Sequence, residues 1–220
     1  MQLHVNFGRC TIQCEDYTLR EIPMKYEEKK FNLPEMEGLS KESIDAHLGL
    51  YAGYVKNFNQ ISALMPEYAG DMEKHGLALA ELIRRRSFEF DGMRLHELYF
   101  SQWEGGAKAF DANSELGQAL AKDYKVAEHI IPYITSIGMM RGPGWAILYW
   151  DPVAKQFLAG FAGEQHQGHF ATLPIILALD VWEHAFLADY GAAGKGKYID
   201  AFFKNLNWDV INARFVALKN

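Results

Sequence analysis

The chain has 220 residues, 49% of them hydrophobic and 23% charged, the proportions of a globular protein whose core needs no disulfides. Its 28 acidic residues outnumber 22 basic ones, for a formal charge of −6, which speaks against a nucleic-acid partner because phosphates call for a basic surface. The apolar run 173–179 is far too short to cross a bilayer, and residues 1–15 lack the apolar core and cleavage site of a secretory signal. These features predict a cytoplasmic protein with no membrane contact.

Taken in chain order, residues 1–30 are weakly periodic and read as extended or irregular. Cys10 and Cys14, the only cysteines, are separated by three residues, with no second pair. Zinc and redox motifs use other spacings, so two reduced thiols are expected. A helix begins at Ser40, a suitable N-cap, followed by Glu42 and Asp45 at its positive end. Ile44, His47, Leu48, Tyr51, Tyr54, Val55 and Phe58 keep helical spacing. Two further helices are predicted over 72–86 and 93–103, the latter ended by Gly105 and Gly106. Two more fit 114–124 and 126–140, with Pro132 in or near the first turn of the second. After Gly142-Pro143-Gly144 the texture turns to strand. The stretches 145–150 and 156–160, joined by Asp151-Pro152, read as a β-hairpin, and 173–179 as a third strand. Helices over 201–205 and 209–218 close the chain.

The residues able to do chemistry are scattered. In LDVWEHAF (179–186), Asp180 and His184 stand four apart at the end of an apolar strand. A carboxylate with an imidazole suits a first-row metal ion, and a charged pair among Val181, Trp182, Ala185 and Phe186 must be compensated. His96 lies among apolar neighbours in RLHELYF, and His47 lies on the face of its helix. Alone, either histidine is more simply a satisfied core residue. At about 100° per residue, Tyr51 is roughly 40° round the helix from His47 and Tyr54 roughly −20°, so one face carries an imidazole and two phenols.

Read together, these segments resemble the iron/manganese superoxide dismutase family. FNLP (31–34), HLGLYAGYVKNFN (47–59), HELYF (96–100), GPGWAIL (142–148), DVWEHAF (180–186) and YIDAFFKNLNWDVI (198–211) occur in the family's order and span about 31–218. The fold expected is α+β: an N-terminal extension (1–30), a helical domain built on a long antiparallel helix hairpin (31–112), and a C-terminal domain (113–220). That last domain would hold a three-stranded antiparallel sheet flanked by helices. The resemblance implies one iron or manganese ion per subunit, held by His47, His96, Asp180, His184 and a solvent molecule. It implies that Trp145 and Trp182 line the metal cavity, and that Glu183 crosses the interface of a homodimer, with a tetramer also open. The substrate implied is superoxide, disproportionated to oxygen and hydrogen peroxide. An anion gains nothing from the overall charge, so local cations must steer it, and Lys195 and Lys197 are nominated.

Three departures from the family pattern bear on the residues around the metal. The positions four and eight after His47 hold Tyr51 and Val55 instead of histidine and tyrosine, so Tyr54 becomes the candidate gateway phenol, with Tyr51 in the histidine's place. The interface tyrosine three residues after the last ligand is Leu187, so both partners of a cross-subunit hydrogen bond are missing together. Gly92 stands where iron-type members carry a solvent-bonding glutamine. The substitute is expected in EQHQGHF (164–170), with His166 first, Gln165 and Gln167 as rivals, and His169 a surface or loop residue. Two other readings compete: a metal-free relative serving as a structural or interaction subunit, and a non-haem iron oxygenase using two histidines and a carboxylate.

Overall fold

The computed structural model describes residues 25–219. Residues 25–35 run without regular structure and lead into α1 (Lys41–Ala69). The Ser40 hydroxyl caps that helix by accepting from the Ser43 amide. Helix α1 pairs with α2 (Met72–Ser101), whose N-terminus is capped by Asp71, and the two form a long helix hairpin. The separate helices predicted over 72–86 and 93–103 are therefore one. Asp91-Gly92 has the form of a turn dipeptide, but here it continues the helix. Gly92 is buried against the Tyr54 ring of α1, so tertiary packing overrides the local signal.

The C-terminal part carries α3 (Glu115–Tyr124), a 3-10 turn (Ala127–His129) and α4 (Ile130–Gly138). Three strands follow: β1 (Gly144–Asp151), β2 (Gln156–Gly163) and β3 (Ile175–Asp180). Their spatial order is β2-β1-β3 and both pairings are antiparallel, the α+β architecture expected. The central strand β1 is buried on both faces from Gly144 to Trp150, which explains its unbroken apolar sequence. Helix α5 (Glu183–Tyr190), which is not among the predicted elements, starts just after β3 and is followed by α6 (Lys195–Asn205) and α7 (Trp208–Leu218).

Two polar side chains, one buried and one half-buried, join the end of α2 to the sheet. Gln102 is fully buried and mimics a strand partner: its Oε1 accepts from Ala178 N at 2.9 Å and its Nε2 donates to Ala178 O at 2.9 Å. The Arg214 guanidinium donates to the Ile176 and Leu98 carbonyls and to the Ser101 hydroxyl. Burial lowers its pKa to about 10. These ties hold the His96 segment of α2 against the end of β3 that carries Asp180.

Candidate metal centre

Each of the four residues comes from a rigid element. His47 and His96 sit inside α1 and α2, Asp180 ends β3, and His184 lies in the first turn of α5. Their four ligand atoms lie within 4.8 Å of one another. Asp180 Oδ2 is the centre of the group, 3.3 Å from His47 Nε2, 3.7 Å from His96 Nε2 and 3.2 Å from His184 Nε2. Donors bound at about 2.1 Å to one ion stand roughly 3.0–3.6 Å apart as neighbours and about 4.2 Å when opposite, so these four atoms are clustered closely enough to close on one ion with small side-chain shifts.

The protonation pattern agrees. His96 Nδ1 donates to the Gly92 carbonyl at 2.6 Å, and since a carbonyl only accepts, Nε2 is the bare nitrogen. Both His47 Nε2 and His96 Nε2 are buried without a hydrogen-bond partner, an expensive arrangement unless something else occupies their lone pairs. Burial lowers the pKa of His47 and lowers that of His96 to about 3, in the second case with help from His47. Burial would push the Asp180 carboxyl up, but the neighbouring imidazoles, His184 above all, outweigh it and hold the group below the usual carboxylate range. His47 and His96 are thus held neutral, while at His184 burial is outweighed by Asp180, which raises its pKa. Three imidazoles and one carboxylate are a donor set that suits iron or manganese.

Asp180 is itself fixed. Its Oδ1 accepts from the Trp182 amide at 2.8 Å, and its backbone carbonyl accepts from Tyr198 Oη at 2.7 Å. Tyr198 Oη is 2.9 Å from Tyr99 Oη. Both phenols are buried, and the sequence reading missed them because two tyrosines 99 residues apart carry no local signal of pairing.

Comparisons with known sequences bear on this arrangement. Residues 112–214 match the family model described as iron/manganese superoxide dismutases, C-terminal domain. The chain is 34% identical over 190 residues to a superoxide dismutase [Fe] of Aquifex pyrophilus, covering 82% of this chain and 85% of that protein. It is also 30% identical to a superoxide dismutase [Fe] of Saccharolobus solfataricus, over 90% and 92% of the two chains. The chain belongs to the iron/manganese superoxide dismutase family. Members named for manganese are similar too: a superoxide dismutase [Mn] of Haloarcula marismortui is 32% identical over 72% of this chain and 76% of its own.

Around the four-residue cluster, the structure sorts the remaining candidates. Trp145 is fully buried with its ring centroid 5.2 Å from that of His96, and Trp182 stacks on His184 at 5.8 Å. Tyr54 lies 5.0 Å from the His96 ring. Tyr51 faces elsewhere: its hydroxyl accepts from the Lys29 amide at 2.8 Å and contacts Glu97, which is ion-paired to Lys29 and Arg94. In the 164–170 segment the fully buried side chain is Gln165, which accepts from Trp145 Nε1 and donates to Tyr54 Oη, both at 2.9 Å. His166 instead packs edge-on against Phe88, with its Nδ1 3.9 Å from a Glu164 carboxylate oxygen. Gln167 is exposed and contacts Glu164. His169, read from sequence as a surface or loop residue, is half-buried and hydrogen-bonded through both ring nitrogens. Lys195 donates to the Met140 carbonyl, while the positive charge that reaches Tyr54 is that of Arg85. Glu183 is exposed in the first turn of α5 beside His184. Cys10 and Cys14 lie outside the described residues.

Proposed function

We propose that this protein is a superoxide dismutase that converts two superoxide ions and two protons to oxygen and hydrogen peroxide, with His47, His96, Asp180 and His184 holding the metal. One observation carries the reading: two buried imidazole nitrogens without hydrogen-bond partners converge with a third on one carboxylate oxygen. Iron or manganese held there would supply the one-electron couple that this disproportionation needs. The metal-free structural reading gains nothing from a complete and converged donor set, and an oxygenase would need open positions and a pocket for an organic substrate.

The chain's own residues do the rest. Trp145 and Trp182 form apolar walls that exclude bulk water and larger reductants. Gln165 takes the solvent-facing role first assigned to His166. Its amide nitrogen carries two hydrogens, and only one is used by Tyr54, so the second is free to hold a small oxygen ligand at the centre. Tyr54 is the gateway phenol. Burial raises its pKa against the pull of Gln165, which keeps it a proton donor at neutral pH. Arg85 is the local attraction for the anion.

The active unit is a homodimer in which Glu183 bonds His184 of the partner subunit and fixes its ring, and a dimer of such dimers is compatible with the same contact. Supporting this, Glu183 and Leu187 are exposed on α5 and the His184 side chain keeps 21% exposure. The lost cross-subunit bond needs no replacement, because Tyr51 is satisfied within its own subunit. The domain division is 31–112 and 113–220, after an N-terminal extension. The cytoplasm is the proposed compartment: among the described residues no helix is long and apolar enough to cross a membrane. Purified protein grown with both metals, analysed for metal and assayed for superoxide consumption, tests the function. Near-stoichiometric iron or manganese with activity is expected, and a chain that stays inactive after loading with either metal overturns the proposal.

A further inference from the structure

Gln165 reaches the centre from a loop, and a loop is a poor mount for a side chain that must hold position within a few tenths of an ångström. The segment between β2 and β3 turns back tightly at Gly163 and Gln167, which exchange backbone hydrogen bonds of 2.8 and 3.1 Å, with Glu164 in the left-handed region at φ 51°. Gln165 sits at the apex. Its side chain is held at both ends, by Trp145 and Tyr54. Its backbone is held by something outside the turn. His169 Nε2 lies 3.0 Å from the Gln165 carbonyl oxygen, and His169 Nδ1 lies 2.9 Å from Tyr149 Oη.

The chemistry of these contacts fixes their direction. A carbonyl can only accept, so Nε2 carries the proton and donates; Nδ1 is then a bare acceptor, and the Tyr149 hydroxyl donates to it. Tyr149 is buried on β1, four residues beyond Trp145 and on the same face of that strand. Burial raises the pKa of its phenol, so the donor keeps its proton. One central strand therefore grips Gln165 twice: directly through the Trp145 indole, and through Tyr149 and His169 at the backbone.

We propose that His169 is a positioning residue that holds the Gln165 carbonyl, with Tyr149 locking its tautomer, and so sets the strength of the Gln165 contact to the metal's oxygen ligand. The inference rests on the reading of Gln165 given above. His169 touches neither metal nor substrate, and of its hydrogen bonds the one to the Gln165 carbonyl leads to the centre.

The test compares the metal-loaded variants His169→Ala, His169→Gln, Tyr149→Phe and Gln165→Ala, each measured for metal content, midpoint reduction potential and azide affinity. Gln165→Ala shifts potential and azide affinity if the underlying reading is correct; if it shifts neither, that reading fails and not merely this one. His169→Ala is expected to move both quantities in the same direction as Gln165→Ala, by about half as much, and to add nothing in the double variant. His169→Gln, which restores an N–H near the carbonyl, recovers most of the wild-type value, and Tyr149→Phe falls between. Should His169→Ala fail to fold, the Gln and Phe variants carry the comparison. A shift for Gln165→Ala with wild-type potential and azide affinity in His169→Ala, or in Tyr149→Phe when the former does not fold, overturns the proposal.

Discussion

Gly92 is the position where packing and chemistry meet most tightly. A Cβ there would stand 2.6, 2.7 and 3.0 Å from three ring carbons of Tyr54. Ordinary carbon contacts lie near 3.6 Å, so Gly92→Ala drives the ring back by about 1 Å. The ring is stiff, and its hydroxyl end is the acceptor of the 2.9 Å bond from Gln165. Overpacking costs about 1–3 kcal/mol, and loss of the hydrogen bond about 1 kcal/mol more. Removing a glycine from a helix interior returns about 1 kcal/mol. The net loss of about 1–3 kcal/mol corresponds to a melting temperature roughly 2–12 °C lower for a chain of this size. Differential scanning calorimetry of the metal-loaded protein measures this, and activity per bound ion should fall with it. Gly49→Ala is the control: it lies in α1 with nothing within 4 Å of the added carbon and should stabilise slightly. A Gly92→Ala protein as stable and as active per ion as the parent would refute the placement of Tyr54 against α2.

The two phenols of α1 separate cleanly. Tyr51→Phe strips the Lys29 amide of its acceptor and should cost about 1 kcal/mol in urea unfolding while leaving activity per ion unchanged. Tyr54→Phe should lower activity at least about fivefold at full metal content, read in a superoxide-consumption assay. Gln102→Leu leaves the Ala178 amide and carbonyl without their buried partner, so chemical denaturation should show a loss of about 2–4 kcal/mol. Removing the metal leaves His47 and His96 nitrogens buried and unpaired. The metal-free protein should therefore melt well below the loaded one, with the gap widening as free metal rises.

The four side chains that converge at the candidate metal centre were legible in the sequence because the DVWEHAF and HELYF segments are each unbroken and keep the family's order, though nothing in their spacing alone brought His47 and His96 together. The strand hairpin was legible too, since β1 is apolar throughout and Asp151-Pro152 marks the turn. What lay beyond reach depended on tertiary contact. The turn-like Asp91-Gly92 stays helical only because Tyr54 presses on it from another helix. The choice between Gln165 and His166 turns on which of two adjacent loop side chains points inward, and a period-two argument needs a strand that this loop does not form. His169 lies in a loop as expected, but its hydrogen bonds were out of reach because its partners, Tyr149 and the Gln165 carbonyl, meet it through a fold of the loop, one of them 20 positions away.

X-ray absorption at the iron or manganese edge of the purified, loaded protein examines the centre directly. Scattering from three imidazoles, with the remaining donors oxygen at about 2.1 Å, is the predicted result, and His96→Ala should remove one imidazole from the spectrum. A spectrum without imidazole scattering, or one that His96→Ala leaves unchanged, would contradict the account.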